Sequence, residues 1–205
     1  MGIKVLMEND STKYLRMSFT TGGLFVVECV MIAEKFLQLQ NWESTKMWAV
    51  GENIFQFRTK SSSERTIREC VLRLQKLDDD ELYNLVNSDL REQRQIVWLS
   101  VCRAYDFIAD FVTEVIIERY NKYERQIQKD DLRLFFEKKA EWHEHLDKIT
   151  ESTREKLIQV LSRLLRESQL ITNEWQIRGI LLSPKLENHL RETTPSELKY
   201  YPGVI

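Results

Sequence analysis

Residues 88–120 read SDLREQRQIVWLSVCRAYDFIADFVTEVIIERY, and this stretch decides the fold. Val97, Val101, Ala104, Ile108, Phe111 and Val115 alternate spacings of four and three, the seam of a helix packed against neighbours. Arg103, Asp106, Asp110, Glu114 and Glu118 form a charged stripe on the opposite face. An unbroken helix over Ser88–Tyr120 would be roughly 50 Å long at about 1.5 Å per residue, long enough to act as a central spine. Around it, the chain of 205 residues holds only six Gly and three Pro, and Pro184, Pro195 and Pro202 all stand near the C-terminus. With helix breakers missing elsewhere, the expected fold is all-α, a compact helical globule with a long central helix, rather than an all-β or glycine-looped protein.

N-terminal to the spine, Phe25, Cys29, Ile32, Ala33 and Phe36 recur at helical spacing after Ser18, Thr20 and Thr21, whose hydroxyls suit an N-cap. A second helix is expected over about 41–50 and an irregular stretch over 54–57. The polar run Arg58-Thr59-Lys60-Ser61-Ser62-Ser63 then opens a helix faced with Ile67, Cys70, Val71, Leu74 and Leu77. The acidic run Asp78–Glu81 suits the positive end of the next short helix. C-terminal to the spine, Asp130 or Asp131 caps a helix carrying Leu132, Phe135 and Phe136. Thr150-Glu151-Ser152-Thr153 caps another with Leu157, Val160, Leu161 and Leu164, and Ser183-Pro184 opens the last. Trp175, Ile177 and Ile180 alternate around Gly179, which predicts a short β-hairpin or extended arm over 170–182. The organisation read from this is an N-terminal helical region over 1–87, the spine over 88–120 and a C-terminal helical region over 121–205. With no Gly, Pro or Ser linker between them, they are expected to form one compact unit.

Thirty Lys plus Arg oppose 32 Asp plus Glu, a net charge of -2, which excludes a polycation that binds nucleic acid through its overall charge. The distribution is uneven. Residues 58–76 hold Arg58, Lys60, Arg65, Arg68, Arg73 and Lys76 against Glu64 and Glu69, a local excess of four positive charges. Residues 154–167 hold Arg154, Lys156, Arg163 and Arg166 against Glu155 and Glu167, an excess of two. Ile67, Cys70, Val71, Arg73 and Leu74 fall on Leu157, Val160, Leu161, Arg163 and Leu164 at a separation of 90 residues. Each helix follows a Ser/Thr cluster, a turn and another helix, the outline of a helix-turn-helix whose second helix enters the major groove by its N-terminal end. Hydroxyls and unpaired backbone N–H groups at such an end bind phosphate, and Arg pairs with guanine or the backbone. The candidate DNA-binding residues are Arg58, Lys60, Ser61, Ser62, Ser63, Arg65 and Arg68 at the first motif, and Ser152, Thr153, Arg154 and Lys156 at the second. The alternative reading of the same pattern is a plain solvated face.

No nucleophile with a base at a recognisable spacing appears, so no enzyme is expected, and no catalytic residue, metal ligand or cofactor is assigned. His143 and His145 stand two apart, which places them on nearly opposite sides of a helix. The three cysteines, Cys29, Cys70 and Cys102, read as small core residues of a reduced compartment. Met1–Leu15 mixes apolar residues with Glu8, Asp10 and Lys13 and does not read as a secretory signal. The apolar run over 22–39 is interrupted by Glu28, Glu34 and Lys35, which excludes a membrane span. A cytoplasmic monomer is expected.

Ser18-Phe-Thr-Thr-Gly-Gly-Leu24, Trp42, Arg68-Glu69 with Arg73-Leu74, and Arg103-Ala-Tyr105-Asp-Phe107 resemble motifs of the BrxA family, a component of bacteriophage exclusion (BREX) systems. The resemblance continues through Phe111-Val-Thr-Glu114-Val115, Phe135-Phe-Glu-Lys-Lys-Ala-Glu-Trp142, Ser152-Thr-Arg-Glu-Lys-Leu157, Leu165-Arg-Glu167 and Leu181-Leu-Ser-Pro184. It implies a small all-helical protein without known catalytic activity that carries two helix-turn-helix motifs and binds double-stranded DNA. It also implies work alongside other BREX defence proteins, a DNA methyltransferase among them. The expected mechanism is electrostatic capture of duplex by two basic helix N-termini. The rival from another class is a helical adaptor whose basic turns dock on acidic partner proteins of the defence complex.

Overall fold

Hydroxyl, Asn and Asp side chains start most of the helices of the computed structural model, which describes residues 17–204. The stretch Met1–Leu15, read above as lacking a secretory signal, lies outside the described residues. The described helices are α1 Val26–Leu39, α2 Trp42–Gly51, α3 Lys60–Leu74, α4 Asp79–Asn87, α5 Leu90–Ala104 and α6 Asp106–Phe111. A π-helical segment Val112–Ile117 runs into α7 Glu118–Asn121. Then come α8 Lys129–Ala140, α9 Glu144–Asp147, α10 Glu151–Glu167, α11 Pro184–Thr193 and a 3-10 helix Pro195–Tyr200. The chain is all-α, as expected. The described residues pack as two compact units, an N-terminal one of residues 24–104 and 182–194 and a C-terminal one of residues 17–23, 105–181 and 195–204.

In the N-terminal unit, α1 packs against α2, α3, α4 and α5 through Cys29, Ile32, Ala33 and Phe36. Asn41 caps α2 by accepting from Ser44 N at 2.8 Å, and Thr59 caps α3 by accepting from Ser62 N at 3.3 Å. Asp78 and Glu81 close a reciprocal capping box on α4. The hydroxyls of Ser18–Thr21 do not cap α1. Its N-cap is Phe25, in the left-handed region at φ 59°, with no side-chain cap. The cause lies on α3. The Arg73 guanidinium, fully buried, donates to the Leu24 carbonyl at 3.3 Å and lies 5.8 Å from the Phe25 ring, which holds the chain where α1 begins. Arg73 Nε also donates to Glu69 Oε1 at 2.7 Å, and Glu69 is itself only 7% exposed. All three cysteines are buried thiols, and burial, followed by contact with Cys29, pushes the Cys70 thiol well above its ordinary value.

The C-terminal unit has an aromatic core. Phe107 meets Phe135 at 5.2 Å and Phe136 at 5.4 Å between ring centroids, while Phe19 packs edge-on to Tyr105 at 5.4 Å. The helical path over 90–121 is interrupted at Tyr105, whose extended backbone (φ -136°, ψ 94°) caps α6 and whose ring is buried. Within the π-helical segment the buried seam shifts from Val115 to Val112 and Ile116, because each i→i+5 turn rotates the face away from the 3.6-residue period. Thr113 donates its hydroxyl to Ala109 O at 3.0 Å inside that segment.

The hairpin expected over 170–182 does not form. Leu170 N and Ile171 N are both spent on Leu165 O, terminating α10 after Gln169 turns left-handed at φ 64°. Ile177 N donates to Arg125 O and Ile180 N to Pro202 O, so the second half bonds to two other segments. What remains is two isolated bridges, Gln126 with Gln176 and Ile171 with Ile177, the latter flanked by Thr172 N to Gln176 O at 2.9 Å and Arg178 N to Leu170 O at 2.8 Å. Among the described residues no helix is long and apolar enough to cross a membrane.

The buried Arg73–Glu69 pair makes a stability prediction. Arg73→Met leaves a buried carboxylate without its cation and should lower the unfolding free energy by about 3–5 kcal/mol in urea titration. Arg73→Met combined with Glu69→Leu should recover most of that loss. A single variant as stable as the wild type would contradict the assigned ion pair.

Candidate nucleic-acid interface

The first motif consists of α2, a connection over 52–59 and α3, with α2 and α3 packed together. The connection is longer than the three- or four-residue turn of a helix-turn-helix. Asn53 and Gln56 turn it with φ of 45° and 52°, and Phe55 and Phe57 pack edge-to-face within it at 5.8 Å. The amphipathic spacing of α3 buries Ser63, Thr66, Ile67, Cys70, Val71 and Leu74, so the opposite face is forced outward. Ser61, Arg65 and Arg68 share that face, at helical offsets of four and three, and all are exposed. Arg58 and Lys60, also exposed, stand at its N-terminal end.

Among the described residues Arg58, Arg65 and Arg68 have no carboxylate within ion-pair distance, while Lys60 lies 3.9 Å from Glu64. The Ser62 hydroxyl oxygen accepts from Thr59 Oγ1 at 2.8 Å, which leaves its proton to donate outward. Ser63 is different: it is 3% exposed and its oxygen is shut off from solvent, so it cannot meet a phosphate. Arg73 and Glu69 neutralise each other in the interior, removing one charge of each sign. The local excess of four positive charges therefore survives on the surface.

The second candidate cluster is arranged differently. A three-residue connection joins the single-turn α9 to α10, and Thr150 caps α10 by accepting from Thr153 N at 3.4 Å. Ser152, Thr153 and Lys156 are exposed. Arg154 is not available in the same way: its guanidinium lies 4.9 Å from the Phe136 ring, and NH1 is 3.8 Å from Glu151. Glu155 turns to α8, accepting from Arg133 at 2.8 Å and Lys129 at 2.7 Å. Arg163 pairs with Glu167 at 2.6 Å and Arg166 stacks 4.4 Å from Trp175. The cleft beside Arg154 is lined by Glu137, Glu141, Glu144 and Asp147, a set that repels phosphate.

Among the described residues, one trio of metal-ligand side chains converges, Asp78, Glu81 and His189. Its chemistry suits an ion-pair lock better than a metal. Both Glu81 oxygens already accept from Arg103, at 2.6 and 2.8 Å, and one of them also accepts from Asp78 N. His189 Nε2 lies 2.9 Å from Asp78, which ties α11 to the start of α4. The His143 and His145 rings stand edge to face at 5.8 Å, and desolvation, then His145, then Lys139 hold His143 below its ordinary value.

The BrxA family model matches residues 13–194. A BREX protein BrxA from Bacillus cereus (strain H3081.97) is 30% identical over 146 residues, covering 70% of this chain and 73% of the relative. A BREX protein BrxA from Escherichia coli O9:H4 (strain HS) is 21% identical over 179 residues, covering 86% of this chain and 84% of the relative. The crystal structure of an uncharacterized protein from Magnetospirillum magneticum shares the fold, with a TM-score of 0.78 at 18% identity over 91% of this chain and 96% of that one.

The Glu155 cluster has a pH signature. Hydrogen bonds from Arg133 and then Lys129 hold its carboxyl down to about 2. A folded-state value below the unfolded one stabilises the fold above the ordinary carboxylate pKa, and the contribution is lost as pH falls toward 2. Carbon-13 NMR titration should therefore place the Glu155 midpoint near 2, and Arg133→Gln should raise it. A midpoint at the ordinary glutamate value in the wild type would contradict the α8–α10 tie.

Proposed function

The chain belongs to the BrxA family of BREX phage-defence systems, and from that premise we propose that it acts in anti-phage defence as a non-enzymatic protein that binds duplex DNA. The contact surface is the outward face of α3. Other BREX proteins, a DNA methyltransferase among them, would act on the same DNA.

The observation that carries this reading is the exposed stripe Ser61, Arg65 and Arg68 with Arg58 and Lys60 at its N-terminal end. Ser61, Arg65 and Arg68 fall within a stripe roughly 60° wide on a helix of about 3.6 residues per turn, narrow enough to face one groove. The guanidinium groups of Arg58, Arg65 and Arg68 have no carboxylate to displace among the described residues, and the long contact of the Lys60 ammonium with Glu64 at 3.9 Å is worth little. The helix N-terminus adds N–H groups and the positive end of its dipole. At α10, Ser152, Thr153 and Lys156 can add hydrogen bonds and one charge. Arg154 is held back by Phe136 and Glu151. The proposed site thus rests mainly on α3, with the second cluster as a minor contributor.

Gel retardation of a duplex across a salt series tests this. About four neutralised phosphates give a slope of log K against log[salt] of roughly -3 to -4. Arg65→Glu combined with Arg68→Glu should flatten that slope by about two and weaken binding at least about tenfold. Lys156→Glu should change it by no more than about one. A slope near zero, or no retardation at low salt, would sink the proposal. Loss of co-purifying BREX proteins in the double variant with DNA retention unchanged would replace it with the adaptor reading.

A further inference from the structure

We propose that the cleft beside Trp142 in the C-terminal unit docks an arginine-rich segment of a partner protein. Trp142 stands one residue beyond the Glu141 that caps the end of α8 after Ala140, and it is 81% exposed. Among the described residues no other ring or cation stacks on it, whereas Trp98 is buried and Phe36 stacks on Trp42 at 3.7 Å. A bare indole is a large apolar surface left in water, and Trp dominates the anchoring residues of protein interfaces. It lines an open surface cleft together with Glu137, Glu141, Glu144, Asp147 and Arg154.

The remaining wall chemistry identifies the occupant. Glu137, Glu141, Glu144 and Asp147 line the cleft and are all exposed. Glu144 pairs with Lys148 at 2.6 Å. Among the described residues Glu137, Glu141 and Asp147 have no cation within ion-pair distance. Arg154, the one positive lining residue, is turned to Phe136 and Glu151. A flat aromatic face with unpaired carboxylates beside it selects a planar cation, which can stack on the indole while its N–H fork pairs with a carboxylate. Lysine offers a point charge and no planar fork, so arginine fits better. Nucleic acid is excluded by the sign of the charge, and a wholly apolar helix would strand the carboxylates. This inference is independent of the DNA reading, whose surface is α3.

The test is fluorescence anisotropy of a labelled oligo-arginine peptide titrated with the full chain at low salt. The wild type should bind it, and bind an oligo-lysine peptide of equal length more weakly. Trp142→Ala, a change at an exposed position, should weaken oligo-arginine binding about fivefold or more. Glu141→Lys with Asp147→Lys should abolish it. Glu52→Lys with Glu192→Lys, the same charge change at exposed positions of the other unit, should leave most binding intact. Equal binding by Trp142→Ala and wild type, equal affinity for the two peptides, or equal losses from both charge reversals would overturn the proposal. Duplex DNA retention by Trp142→Ala should match the wild type, so failure here and failure of the DNA reading are separately visible.

Discussion

The ion pair between Arg73 and Glu69 is the contact on which the N-terminal unit turns. Both members lie on α3, four residues apart, and both are buried. A buried pair of this kind is a poor source of net stability, because the cost of removing two charges from water roughly cancels their attraction. Its effect is orientational. The guanidinium also takes the Leu24 carbonyl and faces Phe25, so α3 has one way of lying against the start of α1. Once that face is fixed inward, Ser61, Arg65 and Arg68 have to face solvent.

Elsewhere in the protein, charges are consumed by internal ties. Lys139 on α8 donates to Asp110 at 2.8 Å and Glu114 at 2.6 Å, joining α8 to the helical path that contains the π-helical segment. Arg103 grips Glu81 with both terminal nitrogens, and His189 closes on Asp78 from α11. Arg119 meets Asp131 at 2.5 Å, and Asp131 in turn accepts from Gln128 N at the start of α8. Against this background Arg65 and Arg68 on α3 have no carboxylate within ion-pair distance among the described residues. The acids beside Trp142 are the counterpart of opposite sign. A basic face on α3 and an acidic surface beside Trp142 thus coexist on a chain whose net charge is only -2.

Helix identity and most helix starts are legible in the sequence, because capping and amphipathic spacing act locally. Asn41, Thr59, Asp78, Thr150 and Ser183 all cap where hydroxyl, Asn or Asp side chains precede apolar stripes. The break at Tyr105 has no Gly or Pro to announce it; it depends on the Tyr105 ring finding Phe19, far away in sequence. The hairpin stops at a single bridge, Ile171 with Ile177, because the Leu170 N–H that would extend the ladder is spent on Leu165 O, the carbonyl that also ends α10. Charge counting located the basic region 58–76 but could not separate Arg73, which is buried, from Arg65 and Arg68, which are not. It likewise rated Arg154 as available when Phe136 covers it. Trp142 closes one of the motifs shared with the family, but its exposure depends on how the chain folds around it and is not legible in the sequence.

The central claim is that the outward face of α3 is the surface that meets DNA, and mapping backbone amide perturbations on adding duplex DNA tests it most directly. The largest NMR shift changes should fall on residues 58–68, with small changes at 150–156 and none along 137–147. Changes concentrated at the start of α10, or an α3 that shows no perturbation while DNA is bound, would contradict it.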